Sequence, residues 1–302
     1  MIEFKEGKVS SVVISTIFGH AGRGMFPYVF YPSYQKLIRL IKETQIASLA
    51  KSSTMFKRQG DYIWWNFLTW KYVQKLPNKG LLNAYGLTNN GVKVNADGIA
   101  VSCKMGFKVI PNFYPEFAKG TDIAIKETIE AIEIYAKVLG SYFWITELSF
   151  SCPNSEEDIK ENMGQAVQCV RAVKKLFPFL RIIAKLSIVH PFEFAREFEQ
   201  AGADVIHAVN TLPYNMLYPN KQSPLHKVGG GGVSGGPTHK MAFNYNSTLR
   251  KIVKLPLIMG CGIMNLKDAE KYFDIGADAI SICTLASYDS EGAGKIIKKY
   301  NT

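Results

Sequence analysis

The sequence predicts an α/β protein, a single (β/α)8 barrel spanning residues 1–302 with long loops on its active-site face. Three observations carry that expectation. Short runs rich in Val, Ile and Phe alternate with longer stretches of helical period, the pattern of strand–helix units repeated around a parallel sheet. Eight such runs occur, at Val12–Ile17, Ile46–Lys51, Val109–Phe113, Ile145–Phe150, Ile182–Leu186, Val205–Val209, Leu257–Met259 and Ala279–Cys283. No Pro/Ser-rich linker or compositional break divides the chain, and barrels of about 250 residues routinely fold as one unit.

The clearest helix lies between the third and fourth strands, where Ile125, Ile129, Ile132, Ala136 and Leu139 recur at spacings of four, three, four and three. Thr121 or Asp122 is the expected cap. Further helices are expected at about 34–43, 157–176, 191–201, 245–253, 266–275 and 291–299, each between or after strands as the alternation requires. The stretches 52–98 and 211–241 read as long loops, and loops after barrel strands build walls or lids over a site.

Composition excludes several classes. The chain is 47% hydrophobic and 12% aromatic, enough for a large core, yet it has no uninterrupted apolar run of membrane-spanning length. Glu3, Lys5, Glu6 and Lys8 precede the first apolar run, the wrong order for a secretory leader, so a cytoplasmic protein is expected. Five cysteines, at 103, 152, 169, 261 and 283, show neither paired metal spacing nor a disulfide framework, so free thiols and no metal are expected. The formal charge of +11 is spread along the chain rather than gathered in a block, which argues against a nucleic-acid surface and suits an anionic cofactor and substrate.

The chemistry concentrates at strand ends. The fourth strand runs into Ser149-Phe150-Ser151-Cys152-Pro153-Asn154, which places a thiol and a carboxamide just past the carboxyl end of a barrel strand. Pro153 stops the strand, so Cys152 sits on a rigid polar turn rather than in packing. Lys185 lies among apolar neighbours in Ile183-Ala184-Lys185-Leu186; it either faces outward or points into the barrel, where an ammonium needs a partner. Gly229–Gly232 lets the backbone approach a ligand closely. Gly260-Cys261-Gly262-Ile263 and Ser281-Ile282-Cys283-Thr284 follow the seventh and eighth strands, between which barrels commonly hold phosphate.

Four blocks in register over nearly the whole chain resemble the soluble, class 1 dihydroorotate dehydrogenases, whose catalytic base is a cysteine. Besides the Cys152 turn these are Ala50-Lys51-Ser52-Ser53-Thr54, Leu82-Asn83-Ala84-Tyr85-Gly86-Leu87-Thr88-Asn89, and Gly232-Val233-Ser234-Gly235. The resemblance implies FMN as cofactor and oxidation of dihydroorotate to orotate, a step of pyrimidine biosynthesis, with Cys152 as proton-abstracting base. It assigns Lys51, Asn83, Gly86, Leu87, Asn154, Asn210 and Thr211 to substrate. To FMN it assigns Gly19, Lys51, Ser52, Ser149, Lys185, Gly232, Ser234, Gly235, Cys261, Gly262, Cys283 and Thr284. It also implies a homodimer and allows an electron-transfer partner subunit; fumarate, a nicotinamide cofactor reached through a partner, and another oxidant stay open as acceptors.

Three residues depart from the family pattern. Ser149 stands where the pattern has an Asn touching both flavin and substrate, and Cys261 and Cys283 stand where it has Gly beside the phosphate. The quinone-linked relatives have an N-terminal amphipathic extension and carry Ser at the Cys152 position, so the resemblance places this chain, by expectation, with the soluble classes. A flavin-dependent tRNA dihydrouridine synthase shares barrel, FMN and cysteine and would use the positive charge. Its His-Gly-Arg block has no counterpart in His207-Ala208-Val209-Asn210-Thr211. A non-catalytic flavin- or nucleic-acid-binding relative is the alternative from another class, and the joint presence of Cys152, Lys51 and Lys185 speaks against it.

Overall fold

In the computed structural model, which describes residues 1–150 and 159–301, all eight expected strand runs contribute to one parallel sheet. The strands are Val12–Ser15, Ala47–Leu49, Lys108–Ile110 continued by Asn112–Phe113, Ile145–Ser149, Arg181–Lys185, Val205–Ala208, Leu257–Gly260 and Ala279–Ile282. Pro111, which has no N–H to give to a ladder, divides the third. Its first part pairs with the second strand and its last part with the fourth, so the sheet closes into a (β/α)8 TIM barrel.

Alternation along the strands separates two levels inside the barrel. Val13, Ala47, Leu49, Ile110, Ile145, Ile183, Val205, Ile258 and Ala279 form an apolar lower plug. The N-terminal hairpin, Ile2–Glu3 with Lys8–Val9, seals it from below by adding Ile2 and Val9 to the same cluster. Two residues further along their strands stand Ser15, Asn112, Glu147, Lys185, His207 and Ser281, all buried and all polar. The barrel is thus apolar at its base and polar toward the carboxyl ends of its strands, where barrel enzymes place their sites.

The outer helices are Pro32–Thr44, Thr121–Leu139, Ile159–Leu176, Phe192–Ala201, His239–Ile252, Leu266–Asp274 and Ser290–Tyr300, with a short Thr284–Tyr288 before the last. Expected residues 157 and 158 lie outside the described residues. The helix expected from 245 begins at His239, because Pro237 and Thr238 in a preceding 3-10 turn lead directly into it. The 121–139 helix is capped by neither Thr121 nor Asp122: its N-cap is Gly120, at φ 102, with no side-chain cap bond.

The stretch 52–98 is not all loop, since Val92–Lys104 is a helix. Its buried residues fall at helical spacing, but they include Asn95 and Ser102. Both are inward because they bond backbone: Asn95 Nδ2 donates to the His20 carbonyl at 2.7 Å and Ser102 Oγ to that of Ala21 at 2.7 Å. The two long stretches also pair with each other. Val73–Leu76, Gly80–Asn83, Gly232–Gly235 and Leu212–Pro213 form a four-stranded antiparallel sheet over the carboxyl end of the barrel. Leu82, Ala84, Tyr214, Leu225 and Val233 give this roof a small core of its own.

Candidate active site

Between barrel and roof lies a cavity of about 520 Å³. That is the size of a cofactor or small-molecule site, for which about 300–1,000 Å³ is usual. Every barrel strand or the loop after it reaches the cavity except the third, while Leu81, Asn83, Ser234 and Gly235 enter from the roof. Of the residues singled out in the sequence, Lys51, Ser52, Asn83, Leu87, Ser149, Lys185, Asn210, Thr211, Ser234, Gly235, Cys261, Gly262, Cys283 and Thr284 all line it. Cys152 and Asn154 lie outside the described residues.

Gly19, Gly86 and Gly232 stand behind the wall. The Gly19 carbonyl accepts from the Lys51 N–H at 3.1 Å, which ties the first strand's loop to the second's. Gly86 has φ +66, and a Cβ there would fall 2.7 Å from the Asp61 nitrogen. The Gly232 carbonyl accepts from Asn83 Nδ2 at 3.1 Å, so two of the motif blocks meet through the roof sheet.

Lys185 points into the barrel. It is 4% exposed, and its Nζ lies 3.3 Å from Glu147 Oε1. The carboxylate is itself fully buried and accepts from Asn112 Nδ2 and from His207 Nδ1, the latter at 2.5 Å. Burial alone would raise the Glu147 pKa, but the Lys185 charge and the hydrogen bonds from His207 and Lys185 outweigh it and hold the group down to about 2. Glu147 is therefore an anion at neutral pH and Lys185 has its compensating charge. The sequence reading missed this carboxylate and His207. The available signal was a Glu on the inward register of the fourth strand and a His among the apolar residues of the sixth, since such groups stay buried only with partners.

Lys51 also lines the cavity, its Nζ 3.2 Å from the centre of the Tyr85 ring, and Tyr85 packs against Tyr62 at 4.7 Å between centroids. The contact holds a cation at the cavity wall against an aromatic face. Asn210 Oδ1 accepts from the Thr211 N–H at 2.9 Å, which fixes that carboxamide on its loop.

At the far end the loops after the seventh and eighth strands come together. Cys261 has φ 72, in the left-handed region that favours glycine, which accounts for a glycine at that position in the family pattern. Its Sγ donates to Thr238 Oγ1 at 3.1 Å, while Thr284 Oγ1 donates to Ser234 Oγ at 2.8 Å. Gly262 is required by packing, because a Cβ would fall 2.4 Å from the His239 Cα at the start of the 239–252 helix. Burial pushes the Cys261 thiol up to about 12 and the Cys283 thiol upward as well. Both are neutral at physiological pH, so neither serves as a base.

A closed parallel barrel with a cavity of this kind over its carboxyl-end charges is a TIM-barrel enzyme, since that face is where the fold builds its chemistry. Sequence comparison gives the family. The profile described as Dihydroorotate dehydrogenase matches residues 51–301. Similar proteins include the dihydroorotate dehydrogenase B (NAD(+)) catalytic subunit of Bacteroides fragilis, 29% identical over 267 residues, covering 84% of this chain and 80% of that protein. That of Caldicellulosiruptor saccharolyticus is 28% identical over 269 residues, covering 85% and 80%. That of Caldicellulosiruptor bescii is 31% identical over 213 residues, covering 68% and 67%. The chain belongs to the dihydroorotate dehydrogenase family, whose members are flavin-dependent oxidoreductases. Among the described residues no helix is long and apolar enough to cross a membrane.

Proposed function

We propose that this chain oxidises dihydroorotate, or a close dihydropyrimidine, to the unsaturated ring, with FMN in the cavity and Cys152 as base. The observation that carries the reading is the meeting of Lys51, Asn83, Asn210 and Lys185 in one cavity, which Ser149 at the end of the fourth strand also lines. The donor set suits FMN. Lys185, Ser52 and Ser149 offer donors along one part of the wall, Ile17, Val209, Ile263 and Met264 offer apolar surface, and Gly262, Cys283 and Thr284 offer backbone and hydroxyl groups for a phosphate. Bound FMN would supply the two-electron acceptor.

The remaining work falls to the protein. Lys51 pairs with the substrate carboxylate through a charge-assisted hydrogen bond. Asn83, Asn154 and Asn210 match the alternating donors and acceptors of the ring with both ends of their carboxamides. The Cys152 thiolate takes the proton from the ring carbon next to the one that loses hydride, so the ring gains a double bond while one hydride and one proton leave. Lys185 stabilises negative charge gained in the cavity, and Glu147 keeps that lysine in place. Purified protein should be yellow, and heat should release FMN from it. A protein that contains no flavin, and binds none when FMN is added, contradicts the reading.

Ser149 should weaken orotate binding, because a hydroxyl cannot span two partners as a carboxamide does. Losing a neutral hydrogen bond costs roughly 0.5–1.5 kcal/mol, so Ser149→Asn should tighten orotate about two- to tenfold in a flavin-perturbation titration. Loss of orotate binding in that variant would mean a pocket built for another ring.

The relatives are named as catalytic subunits of NAD(+) enzymes, and we extend that to a partner subunit that carries electrons from this chain to a nicotinamide cofactor. A homodimer of the chain itself belongs to the same reading. The rim favours one second reading: Trp64, Trp65 and Phe67 are exposed at 56%, 66% and 73% beside Trp70, which lines the cavity. Exposed aromatics at a mouth stack on bases, and with the +11 charge they suit a dihydrouridine in RNA. Reoxidation of the reduced flavin by unmodified tRNA but not by orotate would select that reading.

A further inference from the structure

The barrel floor carries a chain of three groups whose order has a consequence for charge. Glu147, His207 and Ser281 project inward from the fourth, sixth and eighth strands and are 0%, 1% and 6% exposed. Glu147 Oε2 lies 2.5 Å from His207 Nδ1, and His207 Nε2 lies 2.8 Å from Ser281 Oγ. A carboxylate accepts, so Nδ1 carries the hydrogen; Nε2 of the neutral ring then accepts, and the Ser281 hydroxyl donates to it. His207 and Ser281 both line the cavity, so Ser281 is left with lone pairs to offer a ligand there. The space for its Oγ is made by Gly260 on the adjoining strand, where a Cβ would fall 2.0 Å away.

The groups facing the imidazole leave it poised. Glu147 comes from the fourth strand and Lys185 from the fifth, in register beside His207. Asn112 of the third strand bonds Glu147. The seventh strand, Leu257–Gly260, carries no ionisable side chain, and the Cys261 thiol after it is neutral. Lys51 and the neutral Cys283 line the same cavity. Next to the neutral imidazole the Glu147 carboxylate offsets the Lys185 ammonium, and the Lys51 ammonium stands at the cavity wall. Burial, and then the Lys185 charge, hold His207 below its usual range against the opposing pull of Glu147.

Resting on the flavin reading above, we infer that His207 is a proton-holding positioning residue, neutral while the cavity ligand is oxidised and protonated once that ligand gains negative charge. Bound flavin would supply a two-electron acceptor, and uptake of one hydride would add one negative charge to the cavity. A proton from solvent binds His207 Nε2 and makes it imidazolium, restoring the balance. The new Nε2–H donates to Ser281 Oγ, and the hydroxyl hydrogen turns toward the cavity. Ser281 thereby changes from acceptor to donor as the group above it becomes electron-rich.

The test is nitrogen-15 NMR of flavin-loaded protein labelled at its five histidines, oxidised and after dithionite reduction. His207→Gln assigns the signal: its amide keeps a donor toward Glu147 and an acceptor toward Ser281 but does not titrate. The expected result is a neutral, Nδ1-protonated ring from pH 6 to 8 when oxidised and a doubly protonated ring at pH 6 when reduced. Proton uptake on reduction at pH 6, read with an indicator dye, should be lower in His207→Gln by up to one proton per flavin. Its midpoint potential should also vary less with pH, by up to a tenfold change in equilibrium constant per pH unit, or about 30 mV for a two-electron couple. Equal proton uptake, or a His207 signal that stays neutral, overturns the inference. If the variant does not fold, a wild-type spectrum in which no histidine becomes protonated on reduction overturns it as well. A protein without flavin overturns the flavin reading and this inference together, whereas a flavin-loaded protein with a neutral His207 overturns this inference alone.

Discussion

Replacing Glu147 with alanine is expected to destabilise the chain by about 3–5 kcal/mol, because removing one member of a buried ion pair leaves the other charge uncompensated. The stranded group is Lys185, 4% exposed inside the barrel, and Asn112 and His207 lose their acceptor at the same time. Urea denaturation should move to a clearly lower midpoint. Glu147→Gln keeps an acceptor and should fall between the two. The pH dependence has a definite sign. The folded-state value of Glu147, about 2, lies below the roughly 4.3 of an unfolded glutamate, so its contribution is fully present above pH 4 to 5 and fades as pH falls toward 2. Acid unfolding of Glu147→Gln should lack that component. A loss under about 1 kcal/mol for Glu147→Ala, the range of exposed pairs, would mean that the pair does not support the barrel.

The sequence carried the barrel plainly because its strands are buried on both faces and read as continuous apolar runs. Other features were hidden for identifiable reasons. The 92–104 helix turns Asn95 and Ser102 inward, so its buried face does not look apolar. The roof sheet pairs Asn83 with Gly232 and Leu82 with Val233, segments far apart in the chain whose glycines carry little strand signal. In the site, the motif residues were legible because they fall in short contiguous blocks, and the cavity gathers fourteen of them, among them Lys51, Asn83, Lys185 and Asn210. The floor was not, because Glu147, His207 and Ser281 come from alternate strands and meet through the register of a closed barrel, which spacing along the chain does not reveal. The sequence left Lys185 either outward or inward; its partner in the fold decides for inward.

The largest effect on chemistry is expected at Cys152. Positioned acid–base groups typically contribute about 10²–10⁴-fold in rate, so Cys152→Ala should slow flavin reduction by that order and leave flavin content unchanged. Burial raises the pKa of all four described cysteines, 103, 169, 261 and 283, and so leaves none of them a thiolate near neutrality. The pH profile of reduction should rise through one ionisation in the wild type and lose that step in Cys152→Ala. Cys152→Ser should be intermediate or nearly as slow, since a hydroxyl is a far weaker base at neutral pH. A packing cysteine would behave differently: truncation would cost stability and leave the reduction rate alone. Stopped-flow reduction of Cys152→Ala at a near wild-type rate would remove the thiol from the mechanism.

Whether this chain oxidises dihydroorotate is decided by anaerobic titration of the purified, FMN-loaded protein with dihydroorotate, followed by flavin absorbance. The oxidised flavin band is expected to bleach as orotate forms, one molecule per flavin reduced. A flavin that dithionite bleaches but dihydroorotate leaves oxidised would contradict this expectation.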